Sequence, residues 1–239
     1  MRDIRIWQVD LRRPPEWVDA AAERLLESDE LEWAARGTPE VRRRRLVARA
    51  ALRIALSRCL ACSPAAIRFA WDGTGKPALA AGSGGPGVHF NVSRSGDCCV
   101  IALTKVGPIG VDVEWVVPRA ELDEIVSSRF APVEATAIAR LCGDQRLRAF
   151  YNCWTRKEAY LKARGVGLAT ALDQVAMTVG DERPAILFLG DDDPRAWSLA
   201  TVELGPGLAG AVVLRGAREW AGGAVQPSLL RLGPIVDGG

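Results

Sequence analysis

The chain has 239 residues, of which 49% are hydrophobic and 25% are charged, and its formal net charge is +2. This composition excludes a disordered chain, a collagen-like fibre and a coiled coil, and so small a net charge does not indicate nucleic-acid or membrane binding. We see no signal-peptide pattern, and the longest clean apolar run, Cys98 to Leu103, is far too short for a membrane span. We therefore expect a cytoplasmic protein that binds neither nucleic acid nor membranes.

The cysteine and histidine content narrows the chemistry that the chain can perform. Cys59 and Cys62 form one CxxC pair, but no second pair at the spacing of a zinc ribbon accompanies them. The only histidine is His89, which disfavours Ser-His-Asp and Cys-His nucleophilic enzymes. We therefore interpret the six cysteines as reduced thiols of a cytosolic protein.

Hydrophobic periodicity and turn residues predict the elements in chain order. The first half contains a strand at 2–9, helices at 16–36 and 40–61, and strands at 88–92, 98–104 and 109–113. The second half contains helices at 120–130, 132–142 and 144–164, then strands of a terminal antiparallel sheet at 172–179, 186–189, 196–202 and 210–214. This order predicts an α+β fold.

The Gly107-Pro108 pair is a plausible joint between two lobes. We predict an N-terminal lobe at 1–107 and a C-terminal lobe at 108–221. The remaining residues, 222–239, are rich in glycine and proline and are predicted to be a flexible tail.

The segment Gly110-Val-Asp-Val-Glu-Trp115 carries two closely spaced carboxylates. If it is a strand, its apolar side chains share one face, while Asp112 and Glu114 share the other, roughly 7 Å apart. Two such carboxylates repel each other, and a hard divalent cation between them would relieve the repulsion. The alternative is a half-buried edge strand with a solvated acidic face.

The segment from Trp154 to Lys162 has helical periodicity and supplies a third carboxylate. Glu158 lies on the same apolar stripe as Trp154 and Leu161, where a carboxylate is costly unless it is paired or bound to a metal. Lys162 follows one turn later. An ordinary surface pair between Glu158 and Lys162 is the alternative, but it does not explain why the pair lies on the apolar stripe.

A basic stripe runs along the helix predicted at 40–61, and no acidic residue interleaves with it. An uncompensated arginine stripe suits phosphate groups, although a solvated helix face is the usual explanation for such a run. Lys76 adds a cation after the glycine-rich turn at 73–75, whose backbone N–H groups can face phosphate. The arginines that step by three and four residues along the stripe are Arg42, Arg45, Arg49 and Arg53.

Together these features resemble the Sfp-type 4′-phosphopantetheinyl transferases. Four motifs occur in the order typical of that family, and the last two, about forty residues apart, are highly specific as a pair. The Lys-Glu-Ala sequence in the last motif is similar to one subgroup of the family. The motifs are Gly75-Lys-Pro77, Phe90-Asn-Val-Ser-Arg-Ser-Gly-Asp97, Gly110-Val-Asp-Val-Glu114 and Trp154-Thr-Arg-Lys-Glu-Ala-Tyr-Leu-Lys162.

The resemblance implies both a fold and a reaction. The expected fold is a pseudodimer of two similar α+β lobes in one chain, with the active site between them and little need for a second copy, so a monomer is expected. The expected enzyme transfers the 4′-phosphopantetheine arm of coenzyme A to a serine of an apo acyl or peptidyl carrier protein. The second product is adenosine 3′,5′-bisphosphate. The carrier proteins are expected to serve polyketide or nonribosomal peptide synthases.

The resemblance also implies roles for the residues of the last two motifs. Asp112, Glu114 and Glu158 match the carboxylates that bind Mg²⁺, with Mn²⁺ as an alternative ion, beside the coenzyme A pyrophosphate. Glu158 is expected to take the proton of the carrier serine, directly or through a metal-bound water. Lys162 matches the lysine that steadies the leaving phosphate, and Lys157 is expected to be a second phosphate contact.

The nucleotide end of coenzyme A is expected to bind the basic residues of the first half. Arg44, Lys76 and Ser93 match family positions that hold this end and its 3′-phosphate, and Arg49 and Arg94 are predicted to join them. Arg94 stands where many members have histidine, so positive charge is kept but titration near pH 7 is lost. We therefore expect an altered affinity for coenzyme A rather than an inactive enzyme.

Two other functions stay open on the sequence. A different Mg²⁺-dependent phosphoryl-transfer enzyme would turn over a nucleotide without any carrier protein. A non-catalytic module that binds coenzyme A or nucleic acid through the arginine stripe would keep its function after Asp112→Ala. The three carboxylates argue against such a module, since a protein that only binds does not need three metal ligands.

Overall fold

The computed structural model describes residues 4–12, 22, 24–71, 77–82, 87–166, 172–180, 183–216 and 224–230. The helices are α1 (Ser28–Ala35), α2 (Pro39–Leu60), α3 (Leu122–Arg129), α4 (Pro132–Ala139) and α5 (Gly143–Arg164). The first six strands are β1 (Ile4–Asp10), β2 (Phe69–Trp71), β3 (Pro77–Leu79), β4 (His89–Ser95), β5 (Cys98–Thr104) and β6 (Ile109–Trp115). The others are β7 (Ala176–Met177), β8 (Ile186–Phe188), β9 (Trp197–Val202), β10 (Leu208–Arg215), β11 (Ala224–Val225) and β12 (Ser228–Leu229).

The first sheet has the order β12-β1-β5-β4 and packs against α2. Helix α2 begins at a Thr38 cap, whose hydroxyl accepts from the Val41 N–H at 3.3 Å, and ends at Ala61 in the left-handed region. Every residue of β5 is buried, because alternate side chains face α2 on one side and the second sheet on the other.

The second sheet has the order β11-β9-β10-β6, and α5 packs on its outer face. Its inner face contributes Val111, Val113 and Val212 to an apolar cluster shared with Val100 and Ala102 of the first sheet. The layers therefore run helix, sheet, sheet, helix, with an apolar core between the two sheets. The predicted α+β fold of two lobes is confirmed, while the division at residue 107 stays a prediction.

Two parts of the chain differ from the sequence prediction. Residues 224–230 were expected to lie in a flexible tail, but β11 pairs parallel with β9 and β12 pairs parallel with β1. Two-residue strands can pair there because both partners offer an open sheet edge, and Leu230 is buried in the first core. The predicted strand at 172–179 is a 3₁₀ turn followed by β7, and β7 and β8 form a separate two-stranded sheet instead of joining the predicted terminal sheet.

Among the described helices, none is both long enough and apolar enough to cross a membrane. Part of the first predicted helix, residues 16–21 and 23 of 16–36, lies outside the described residues, and α1 lies in its described part.

Candidate active site

Strand β6 places the two predicted carboxylates on the face that α5 covers. Val111 and Val113 point into the core between the sheets, as the alternation predicted, and Asp112 is buried on the opposite side. Glu114 follows on the same face and is partly exposed. The interpretation of β6 as a strand with a solvated acidic face is therefore wrong for Asp112.

Gly110 allows α5 to approach β6 at backbone distance. A Cβ atom at this position would lie 2.0 Å from the carbonyl oxygen of Ala159 and 2.4 Å from the backbone nitrogen of Ala163. Only glycine fits there, so the helix backbone rests directly on the strand. Glu158 and Lys162 flank Ala159 and Ala163 on α5, and this contact brings both side chains to the carboxylates of β6.

Strand β4 closes the other side of the site through its side chains. The edge of β6 that faces away from β10 has no backbone partner among the described strands, and three polar side chains of β4 accept from its N–H groups. Asn91 accepts from Val111 at 2.9 Å, while Ser93 and Ser95 accept from the next two alternate residues at 3.3 and 3.1 Å. Side chains from one face of β4 thus join the first sheet to the free edge of β6.

Asp112 lies at the centre of a short hydrogen-bond network. One of its oxygens, Oδ1, accepts from the Ser93 hydroxyl at 2.7 Å and from the Lys162 ammonium at 2.5 Å. The same ammonium donates to Ser93 Oγ at 3.0 Å. Glu114 accepts from the Ser95 hydroxyl at 2.7 Å. The structure therefore brings Lys162 to the carboxylates, as predicted, and adds a serine to each carboxylate of β6.

Burial raises the pKa of all three carboxylates. Burial raises the pKa of Asp112 and of Glu114 above their ordinary values. Burial, together with the negative charges of Asp112 and Glu114, raises the pKa of Glu158 to about 7, although Lys162 opposes this shift. Among the described residues, Asp112 Oδ2 and Glu158 Oε1 are buried without a hydrogen-bond partner. A bound cation would satisfy both oxygens and lower all three pKa values.

These three carboxylates fit Mg²⁺ by their chemistry, since hard oxygen ligands are what this ion prefers. In the described part of the chain, their oxygens do not all lie within 4.8 Å of one another. A second acidic group, formed by Glu27, Asp29 and Glu30, is more closely spaced and does meet this distance. Mg²⁺ commonly keeps several waters and uses substrate phosphates as further ligands, which accommodates carboxylates at a wider separation. Mg²⁺ supplies charge neutralisation for a pyrophosphate when it is bound at such a site.

The more closely spaced acidic group near α1 is occupied by cationic and polar partners. Glu30 is paired with the buried guanidinium of Arg53, Glu27 is bridged by Arg68 at 3.1 Å, and Asp29 accepts from the Trp71 indole at 3.0 Å. These partners already neutralise or hydrogen-bond the three carboxylates, so the group is not a second candidate for a metal site.

A basic cavity of about 190 Å³ lies beside α2 and is lined by Trp33, Arg49, Trp71 and Arg94, among others. The guanidinium carbons of Arg49 and Arg94 both lie 5.2 Å from the centre of the Trp33 ring, and Arg49 also lies 4.9 Å from that of Trp71. Arg49 is only 7% exposed, yet its Nη1 has no hydrogen-bond partner within the described part of the chain. Burial lowers the pKa of both arginines, and an anion bound in the cavity would oppose that shift.

Two of the four arginines of the stripe are compensated, contrary to the sequence prediction. Glu30 of α1, which precedes the helix predicted at 40–61, pairs with both Arg49 and Arg53. Arg53 is fully buried and also donates to the carbonyls of Pro64 and Ile67, both at 2.9 Å. It therefore connects α1 and α2 to the turn after α2 and is not available to a phosphate group.

The other predicted coenzyme A contacts fall in different places. Arg44 pairs with Asp97 at 2.6 Å and with Glu40 at 2.9 Å, and Lys76 lies outside the described residues. Ser93 gives its hydroxyl hydrogen to Asp112, so the structure does not support a direct hydrogen bond from Ser93 to phosphate.

The prediction that Lys157 contacts phosphate disagrees with the structure. Lys157 is 0% exposed, forms an ion pair with the buried Glu134 of α4, and lies 5.0 Å from the centre of the Phe130 ring. Glu134 also accepts from the backbone N–H groups of Ala131 at 2.8 Å and Met177 at 2.7 Å. The pair therefore lies inside the C-terminal lobe, away from the solvent, and neither of its charges lacks a partner.

Sequence reasoning missed three residues that the structure places at the site or cavity. Ser95 was not selected, although it lies two residues after Ser93 and must share its face if the segment is a strand. Trp33 and Trp71 were also missed, because nothing local in the sequence indicates that α1 and β2 fold over the same part of α2.

Comparison with known proteins decides the family. The description "4′-phosphopantetheinyl transferase superfamily" belongs to a family model that matches residues 108–214, and "4′-phosphopantetheinyl transferase, N-terminal" to one that matches 15–106. The 4′-phosphopantetheinyl transferase HetI of Nostoc sp. is 32% identical over 216 residues, covering 90% of this chain and 88% of that protein. This chain belongs to the 4′-phosphopantetheinyl transferase family.

Two other members of the family show how the similarity is distributed. The 4′-phosphopantetheinyl transferase Sfp of Bacillus subtilis is 29% identical over 161 residues, covering 67% of this chain and 69% of that protein. The 4′-phosphopantetheinyl transferase AcpT of Salmonella typhimurium is 35% identical over 113 residues, covering 47% and 56%. The resemblance drawn from the motifs is confirmed, as is the prediction that the chain is a transferase, so the non-catalytic binding module is not supported.

Proposed function

We propose that this transferase moves the 4′-phosphopantetheine arm of coenzyme A to a serine of an apo carrier protein, with Mg²⁺ held by Asp112, Glu114 and Glu158. Mn²⁺ is the alternative ion. Besides family membership, the observation that carries the proposal is the pair of unpartnered buried oxygens, one on Asp112 and one on Glu158, beside the Lys162 ammonium. A site of this composition suits a pyrophosphate bound to a divalent ion.

In the proposed reaction the carrier serine oxygen forms a bond to the β-phosphorus of coenzyme A. The bond between that phosphorus and the oxygen that bridges to the α-phosphate breaks, and adenosine 3′,5′-bisphosphate leaves with the electron pair. Glu158 takes the serine proton directly or through a water. Bound Mg²⁺ would keep its carboxylate ionised, which weakens direct proton uptake and favours the route through a water. Lys162, partly exposed, donates to the phosphate oxygen that gains charge.

The nucleotide end of coenzyme A is proposed to bind in the cavity lined by Arg49 and Arg94. Two guanidinium groups, one of them with a buried unpartnered nitrogen, suit a phosphate, and the indole rings of Trp33 and Trp71 suit a purine. Arg94 keeps a permanent charge where many family members have histidine. The charge that this residue offers to the phosphate is therefore expected not to change with pH near neutrality.

The test is transfer to a carrier, measured by the intact mass of the carrier after incubation with coenzyme A and Mg²⁺. Addition of one phosphopantetheine arm, lost with EDTA and with Asp112→Ala but retained with the exposed control Glu124→Gln, supports the proposal. The panel should contain carriers from polyketide, nonribosomal peptide and fatty acid synthases, and we expect the first two to be modified faster. Nucleotide turnover without any carrier would instead favour a different phosphoryl-transfer enzyme.

A further inference from the structure

The face of β4 that meets β6 carries a regular row of polar side chains. Asn91, Ser93 and Ser95 alternate along the strand and point the same way. Each accepts one backbone N–H of β6, from Val111, Val113 and Trp115 in turn. In this respect the three residues are equivalent, since each satisfies one N–H group of an edge that pairs with none of the described strands.

The two serines differ from Asn91 in a second contact. The Ser93 hydroxyl donates to Asp112 and the Ser95 hydroxyl donates to Glu114, both at 2.7 Å. A hydroxyl has a single hydrogen, so each serine gives its only donor to a carboxylate and uses a lone pair for the following backbone N–H. Each carboxylate is therefore fixed relative to the backbone of its own strand by one two-way contact.

We propose that Ser95 is a positioning residue for Glu114, and that Ser93 acts in the same way on Asp112. The inference rests on the proposed function, because it gives these carboxylates the role of metal ligands. Carboxylates that bind a metal are commonly oriented by hydrogen bonds from a second residue, and loss of that residue lowers the affinity for the metal. Here the orienting residue belongs to the first sheet and the ligand to the second.

This arrangement makes the metal site depend on how the two sheets meet. The carboxylates belong to β6, while the hydroxyl groups that orient them come from β4. Trp115 reinforces the same junction, since a Cβ atom added at Gly96, in the turn after β4, would lie 3.0 Å from its indole nitrogen. A small shift between the sheets would therefore change the orientation of Glu114 before it exposed the core.

Direct titration of the full chain with Mn²⁺ by calorimetry tests the inference without relying on activity. Ser95→Ala removes the donor to Glu114 and should weaken Mn²⁺ binding about 10- to 100-fold. Ser95→Thr keeps the hydroxyl and should restore binding. Asn91→Ala is the matched control, since it removes a contact of the same row without touching a carboxylate. It should lower the melting temperature and leave the Mn²⁺ dissociation constant unchanged.

The outcomes separate this inference from the proposed function. If the unaltered protein binds Mn²⁺ and Ser95→Ala, still folded by circular dichroism, binds it equally well, the positioning role is wrong and the metal site stands. If Asn91→Ala weakens Mn²⁺ binding as much as Ser95→Ala does, the loss comes from a looser contact between the sheets. The inference is then overturned as well. The metal assignment fails if the unaltered protein does not bind Mn²⁺ saturably, or if Asp112→Ala still binds it. In either case this inference fails with it.

A double substitution gives an independent check. In Glu114→Gln the carboxylate that Ser95 orients is already lost, so adding Ser95→Ala should cause little further loss of Mn²⁺ affinity. Additive losses would show that Ser95 acts on the ion by a route other than Glu114 and would refute the proposed role.

Discussion

Replacing Gly110 with alanine tests whether the contact between α5 and β6 builds the active site. The added Cβ would lie 2.0 Å from the Ala159 carbonyl oxygen and 2.4 Å from the Ala163 nitrogen, and ordinary contact begins at 3.4 Å. The neighbouring atoms belong to the helix backbone, so no side-chain rotation can relieve the overlap. The helix must therefore move away from the strand by about 1.4 Å, the difference between 3.4 and 2.0 Å.

A displacement of this size would affect function more than stability. Overpacking of a core typically costs about 1–3 kcal/mol, which a domain of this size can survive. The 2.5 Å contact between Lys162 and Asp112 would lengthen beyond hydrogen-bond distance, because the two residues lie on the separated elements. A misplacement of about 1 Å in a reacting group can reduce the rate about 100-fold, so we expect at least that loss of transfer.

The assay combines urea unfolding with the rate of carrier modification at saturating coenzyme A. Gly143→Ala is the control, because Gly143 starts the same helix and a Cβ atom there would meet nothing within 4 Å. Its φ of +51° predicts a loss of about 1–2 kcal/mol through backbone strain, with the transfer rate unchanged. Normal stability and normal activity in Gly110→Ala would refute the packing argument.

Three further outcomes follow from the same structure. Arg49→Gln should raise the KM for coenzyme A about 10- to 100-fold and raise it much less for a substrate without the 3′-phosphate, measured by steady-state kinetics with both. Lys157→Met should lower the free energy of unfolding by about 3–5 kcal/mol, measured in urea, because it leaves the Glu134 carboxylate buried and unpaired. The pKa of Glu158 is raised from 4.5 to about 7, so between these values the folded protein binds more protons than the unfolded chain. In EDTA the contribution of Glu158 to stability should therefore fall as pH rises from 4.5 to 7, and Glu158→Gln should remove that slope. Mg²⁺ affinity should rise over the same range, because the bound ion needs the ionised carboxylate.

The sequence was sufficient for the elements whose periodicity is long or regular. The helix at 40–61 and the helix at 144–164 match α2 and α5 closely, because caps and apolar stripes define them locally. The strand containing Asp112 was predicted with the correct faces. The pairing of 224–230 with both sheets was not predicted, since two-residue strands depend on open edges elsewhere in the chain rather than on their own composition.

The same distinction applies to the site. The carboxylates were found because acidic residues on an apolar stripe or on alternate strand positions are locally unusual. The partner of Arg53 was missed because Glu30 lies 23 residues earlier, and nothing between them shows that α1 folds back on α2. Residues that act through tertiary contacts, such as Trp33 beside Arg49, cannot be recognised until the helices are placed.

For the two lysines of α5, helical periodicity predicts the positions of the side chains better than the motif does. Consecutive helical residues are separated by about 100°, so Lys162 lies only about 40° from Glu158 around the helix, whereas Lys157 and Lys162 are about 140° apart. If Glu158 and Lys162 face β6, Lys157 must point toward the far side of the helix, where α4 supplies Glu134. The motif groups both lysines as phosphate contacts, but the helix separates them into one that stabilises the C-terminal lobe and one that reaches the carboxylates. Two charge-preserving variants test this division of roles. Lys157→Arg should destabilise the protein, because the fully buried site has no room for the larger group, while Lys162→Arg should leave the fold intact. Equal melting temperatures for the two variants would contradict the division.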